Sequence, residues 1–128
     1  MPTTEDDLSI FRLIDLYGHI LDERQFSRGD ELFTPDAIYD VRDFGMGVVV
    51  GLGAIVDLWR RSARHPLAHH ATNVVITGKT LERARVVSHG IGVRPNGLAG
   101  SVTYCDLVVK TPAGWRIAER VATLRRPA

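Results

Sequence analysis

Polar and apolar positions along the chain change their period once, near residue 69. Before it, apolar residues recur at helical spacing. In "TTEDDLSIFRLIDLYGHILDER", Ser9, Arg12, Asp15 and His19 form one polar stripe, while Leu8, Phe11, Ile14, Tyr17 and Leu21 occupy the other side. Thr3 or Thr4 is a competent N-cap, and Glu5, Asp6 and Asp7 sit where the helix dipole favours negative charge. The spacing predicts an amphipathic, mostly buried first helix. A short helical segment is predicted over 26–32, a strand over 37–41 after the helix-breaking Pro35, and a third helix in "GAIVDLWRRSAR" ending near Arg64.

From His69 onward the period is two and β-branched residues dominate: "HHATNVVI", "LERARVVSHGIGVR", "LAGSVTYCDLVVK" and "WRIAERVATLR". The stretches between them, "TGKT", "RPNG" and "TPAG", are hairpin turn sequences. Four strands in an antiparallel meander follow. Helices first and strands after predict an α+β fold with the helices on one face of a curved sheet.

The chain of 128 residues, 45% hydrophobic and 24% charged, suits one domain, taken as residues 1–128. With 16 Lys and Arg against 15 Asp and Glu, and basic residues scattered except in the closing "LRRPA", neither nucleic acid nor an anionic membrane is an expected partner. The acidic N-terminus is unlike a secretory signal, and no apolar run approaches the roughly 18 residues of a membrane span. A cytoplasmic location is the expectation. A single cysteine, Cys105, leaves no intramolecular disulfide and no cysteine-based zinc site.

Candidate chemistry centres on "HPLAHHATNVVI". Neighbouring strand side chains point to opposite faces, so one of His69 and His70 looks inward and the other outward. His69 would share a face with Ala71, Asn73 and Val75; His70 with Thr72, Val74 and Ile76. Metal ligation by His65, His69 and His70 is conceivable by count, yet alternation splits the last pair and no acidic helix motif accompanies them. "GMGVVVG" lacks the spacing and context of a phosphate loop, and no serine sits on a nucleophile elbow. No metal and no cofactor are expected. Asp106, inside an apolar strand, is expected to pair with Arg116 or Arg120 as a structural ion pair. Asp40 and Asp43 are expected to be solvated.

Several stretches together, "LYGHILDER", "ELFTPDAIYD", "GLGAIVDLW", "HHATNVVI" and "YCDLVVKTPAGWRIAER", resemble the nuclear transport factor 2-like superfamily, in its SnoaL-like, polyketide-cyclase-like branch. They cover nearly the whole chain in order. The resemblance implies a cone-shaped α+β fold: three N-terminal helices packed on a strongly curved, mainly antiparallel sheet around an apolar cavity. It implies homodimerisation through the sheet and an apolar small-molecule substrate. It also implies a catalytic set of His69, Asp22 and Tyr17, with His69 preferred because the family histidine precedes an asparagine by four residues, here Asn73. Asn73, His70, His89, Trp59 and Phe33 are candidate substrate contacts. Phe11, Phe33, Met46, Leu58, Trp59 and Leu67 are candidates for lining the opening.

Residue geometry disagrees with the resemblance at two of these. Asp22 lies about 140° round an ideal helix from Tyr17 and falls with the polar stripe, so it turns inward only if the helix ends or bends there. Alternation places His89 opposite Ala84, Val86 and Ser88, on an exposed or interface face. The implied reaction is acid–base chemistry of the dehydratase, isomerase or cyclase type on a polyketide-like, steroid-like or aromatic molecule. The rival is a ligand-binding or assembly module of the same fold without catalysis.

Overall fold

The computed structural model describes residues 3–62 and 65–127. The first helix, α1 (Thr4–Asp22), starts at an N-cap that ties the helix to a distant strand. Thr3 Oγ1 accepts from the Asp6 amide at 3.1 Å, and the Asp6 carboxylate accepts from the Thr3 amide at 3.0 Å, a reciprocal capping box. The same carboxylate accepts from the Trp115 indole at 3.0 Å and from Lys110 at 3.1 Å. These bonds hold its carboxyl well below the usual carboxylate range, the Trp115 bond contributing most.

The buried stripe of α1 is Ile10, Leu13, Ile14, Tyr17, Ile20 and Leu21. Leu8 and Phe11, expected inside, are 56% and 37% exposed. The stripe is centred one residue away from the expected one, because Ile10 and Leu13 pack inward and rotate Leu8 and Phe11 to the solvent side. A six-residue 3₁₀ segment (Phe26–Glu31) stands in place of the expected second helix, and α2 (Leu52–Arg61) is the third. The expected end near Arg64 lies outside the described residues.

Six strands form one sheet in the order β2, β1, β6, β5, β4, β3. These are β1 (Phe33–Asp40), β2 (Val48–Val50), β3 (Ala68–Lys79), β4 (Arg83–Val93), β5 (Ala99–Thr111) and β6 (Gly114–Leu124). β3 to β6 make the expected antiparallel meander, and β1 joins β6 in parallel. The strand expected over 37–41 begins earlier, at Phe33, with a register shift before Ile38 that accommodates Pro35. β2 is not foreshadowed by the pattern, being three residues within a glycine-interrupted run.

Register shifts bend the sheet around the helices. In β3 the shift falls between Thr72 and Val75, where Asn73 takes φ +54°. The inward set therefore runs His69, Ala71, then Val74 and Ile76, and Val75 is 56% exposed. In β6 the pairing slips by one residue at Ala118, so Trp115 and Ile117 point inward and then Arg120 and Ala122.

Asp106 and Arg120 face each other on these inner strands and pair, as expected, in a fork of 2.8 and 2.9 Å, both buried. Asp40 and Asp43 are not free in solvent: Asp40 accepts from Arg42, and Asp43 from Arg126 and the Leu124 amide. Among the described residues no helix is long and apolar enough to cross a membrane.

Asp6 generates a pH prediction. A carboxyl whose folded pKa is depressed stabilises the fold above its unfolded pKa, and that stabilisation is lost as pH falls through the carboxylate range and below. Urea midpoints should therefore decline from about pH 5 to about pH 3. Asp6→Asn should be less stable at pH 7 with a shallower decline, leaving the slope due to Glu31, Asp40 and Asp43, whose carboxyls are also depressed. An undiminished slope in Asp6→Asn would contradict the assignment.

Candidate active site

Asp22 reaches the interior because α1 stops there. The Gln25 amide donates to the Ile20 carbonyl at 2.9 Å and the Arg24 amide to the Leu21 carbonyl at 3.1 Å, with Arg24 at φ +52°. This is a Schellman closure in which arginine occupies the left-handed position usually given to glycine. The last turn directs Asp22 at the start of β3 rather than along the polar stripe.

The carboxylate of Asp22 accepts from the His69 amide at 3.0 Å through both oxygens, and from His69 Nδ1 at 2.6 Å. The two side chains are 20% and 15% exposed, so the bond is largely shielded from water. A carboxylate can only accept, so Nδ1 carries the proton and Nε2 of the neutral ring is left with its lone pair. The contact also depends on Gly18, one turn earlier. A Cβ at Gly18 would stand 2.6 Å from the His69 carbonyl oxygen, so only glycine lets α1 approach β3 this closely.

His69 opens onto a cavity of about 210 Å³ whose walls include Tyr17, Tyr39, Leu58, Trp59, Tyr104 and His65. Tyr17 is buried and its hydroxyl lies 2.7 Å from that of Tyr39. Its ring packs edge-on against His69 at 6.2 Å between centroids. The Arg120 guanidinium sits between two rings, 4.3 Å from the Tyr17 centroid and 4.0 Å from that of Tyr104.

Burial raises the Tyr17 hydroxyl well above the ordinary tyrosine range and Tyr104 to about 12, and the nearby cation only partly counters it. Both hydroxyls stay protonated at neutral pH. Burial also works against the charge on Arg120, but Asp106 more than offsets it and keeps the guanidinium charged. One of its nitrogens, Nη1, is buried without a partner among the described residues, beside a small void next to Tyr17, Gly18 and His69.

The structure thus brings His69, Asp22 and Tyr17 together and adds Trp59, which is 2% exposed, to the cavity wall. The other candidate contacts lie elsewhere. His70 is exposed and outside this cavity, because alternation turns it outward. Asn73 is exposed at the bulge that breaks the alternation on which its placement relied, and it does not line the cavity. His89 is on the outer face, with Nε2 3.4 Å from Arg125. Phe33 is core, buried behind Tyr17, Tyr39 and Trp59 rather than lining the cavity.

Of the residues expected at the opening, Met46, Leu58 and Trp59 line it, whereas Phe11, Phe33 and Leu67 do not. Tyr39 and His65 are site residues that the sequence reading does not single out as such. Tyr39 is legible by parity with Ala37 and Val41 on a predicted strand, while the count of histidines suggests His65 only as a metal ligand. Among the described residues no group of three His, Cys, Asp or Glu could hold a metal ion.

Comparison with known proteins agrees with this architecture. The chain belongs to the SnoaL-like domain family, whose sequence profile matches residues 2–121. It is 32% identical over 127 residues to an uncharacterized protein of Mycobacterium tuberculosis strain H37Rv, covering 92% of this chain and 84% of that one. An NTF2-like protein with a cystatin-like fold from Novosphingobium aromaticivorans superposes with TM-score 0.80 at 26% identity, over 97% of this chain and 84% of that one. A hexachlorocyclohexane dehydrochlorinase from Novosphingobium barchaimii shares the fold, with TM-score 0.76 at 19% identity over 97% and 92% of the two chains.

Gly18 supplies the test of this geometry. Gly18→Ala should cost about 1–3 kcal/mol in urea denaturation, as overpacking does, and should weaken the Asp22 to His69 contact by pushing α1 off β3. Gly53, on α2, is the control, because a Cβ there would meet nothing within 4 Å. Gly53→Ala should be neutral or stabilising by up to about 1 kcal/mol. Equal effects at both positions would contradict the close approach.

Proposed function

We propose, from membership of the SnoaL-like family and the geometry above, that the protein is a cofactor-independent enzyme acting on an apolar, oxygenated small molecule. The substrate is of polyketide, steroid or aromatic type. The shared step is proton abstraction beside a carbonyl, leading to dehydration, isomerisation or cyclisation. The observation that carries this reading is the 2.6 Å bond from His69 Nδ1 to Asp22 beside an aromatic cavity.

His69 Nε2 takes the proton from carbon. Asp22 fixes the tautomer that makes Nε2 the base and stabilises the imidazolium that forms. As the carbonyl gathers negative charge, the Tyr17 and Tyr39 pair supplies a donor. One hydroxyl proton is shared between the two oxygens, and the other is free for the substrate. The raised pKa of Tyr17 keeps its hydroxyl protonated as a donor. The apolar walls exclude water and strengthen both interactions.

Deuterium incorporation tests the shared step without presupposing the final product. With 2-tetralone as probe in D₂O, the protein should accelerate exchange at the α-carbon, followed by proton NMR. His69→Ala should lose on the order of 10² to 10⁴ of that acceleration, the usual contribution of a positioned base. Tyr17→Phe should lose about 10² if its hydroxyl meets the oxyanion. Binding of 2-tetralone without exchange, or exchange indifferent to His69→Ala, would favour a ligand-binding module instead.

A further inference from the structure

His65 brings a second imidazole to the cavity. Its ring lies 6.4 Å from that of His69 between centroids, at 65°, and both line the cavity. Its Nε2 stands 2.8 Å from the Trp59 carbonyl oxygen, and its ring lies over Phe26 at 5.7 Å and 33°. A carbonyl only accepts, so Nε2 carries a proton and donates it. His65 is therefore held with Nδ1 as its open nitrogen, the reverse of His69, whose open nitrogen is Nε2.

The two rings also differ in their partners. His69 has the Asp22 carboxylate, which stabilises the proton that it gains. His65 has a neutral carbonyl on Nε2 and, among the described residues, no hydrogen-bonding partner on Nδ1. A carboxylate thus faces one ring, and only a neutral carbonyl faces the other.

We propose that His65 is the general acid of the site, so that its reaction is an elimination in which a poor leaving group, such as hydroxide, departs protonated. This rests on the reading of His69 as base. In the step, His69 Nε2 takes the α-proton and the carbon–hydrogen pair becomes the new carbon–carbon double bond. The carbon–oxygen bond breaks, and its electron pair takes the Nδ1 proton of the His65 imidazolium, so that oxygen leaves as water. His69 ends as imidazolium and His65 as the neutral Nε2–H tautomer; solvent returns the proton between them. Phe26 and the Trp59 carbonyl fix the plane of the acid, as Asp22 fixes that of the base.

The test compares two leaving groups on one skeleton with the whole protein. The alcohol 4-hydroxy-4-phenylbutan-2-one must lose hydroxide, which needs a proton. Its acetate ester loses acetate, which does not. Both give benzylideneacetone, followed by ultraviolet absorbance. His65→Phe should lower the ratio of alcohol to ester elimination at least about tenfold. His65→Gln, whose side-chain amide preserves a donor to the Trp59 carbonyl, should lower it similarly and guards against a folding defect in the first variant. His69→Ala should depress both eliminations together.

An unchanged ratio in both His65 variants would overturn the proposal while leaving the base reading intact, provided that ester elimination still requires His69. Failure of the unmodified protein to eliminate either compound would overturn the base reading and this inference with it.

Discussion

Helix α1 lies against β3 at the separation that Gly18 permits, and the site depends on that contact. Were the helix displaced by the width of a methyl group, Asp22 would no longer reach both the amide and the ring of His69. The helix must also end on time. Its last turn closes through Arg24 in a left-handed conformation, which costs a non-glycine residue roughly 1–2 kcal/mol in isolation. The two backbone bonds of the closure form in that conformation, and it leaves Asp22 placed to accept from His69. Backbone strain here supports the placement of a functional side chain.

Behind the dyad the interior holds a buried ion pair. Arg120 and Asp106 are both sequestered from water, and removing one partner of such a pair typically costs about 3–5 kcal/mol because the other is left uncompensated. The guanidinium is packed between Tyr17 and Tyr104, so the cation lies beside the cavity while its charge is balanced on the far side. Its field lowers the tyrosine pKa values, but burial prevails, and the hydroxyls near His69 remain neutral donors. Fold stability and site electrostatics thus share the same residues, which ties the strand register at Ala118 to the environment of Tyr17.

Much of this is legible along the chain. The N-cap of α1, the four-strand meander and the pairing of Asp106 with a β6 arginine follow from spacing, turn chemistry and the cost of an unpaired buried charge. Asp22 is not legible from the helical wheel, because its direction is set by a C-terminal closure in which arginine stands where glycine would have signalled the end. Parity alone does not choose between His69 and His70, and it misplaces Asn73 because one extra residue in β3 inverts the alternation. Leu8 and Phe11 are misassigned for a simpler reason: a stripe defined by its polar side is uncertain by a residue at its apolar edge. Strand faces and core packing decide against Phe33, His70 and His89 as contacts of the cavity beside His69.

Everything proposed for the site depends on the Asp22 to His69 hydrogen bond, and its most direct measurement is a long-range proton–nitrogen-15 correlation spectrum of the histidine rings at neutral pH. The unmodified protein should show His69 with its proton on Nδ1, protected from solvent exchange. In Asp22→Ala that preference and protection should disappear, while in Asp15→Ala, on the solvent side of α1, they should persist. A His69 ring protonated on Nε2 in the unmodified protein, or indifferent to the loss of Asp22, would contradict the dyad.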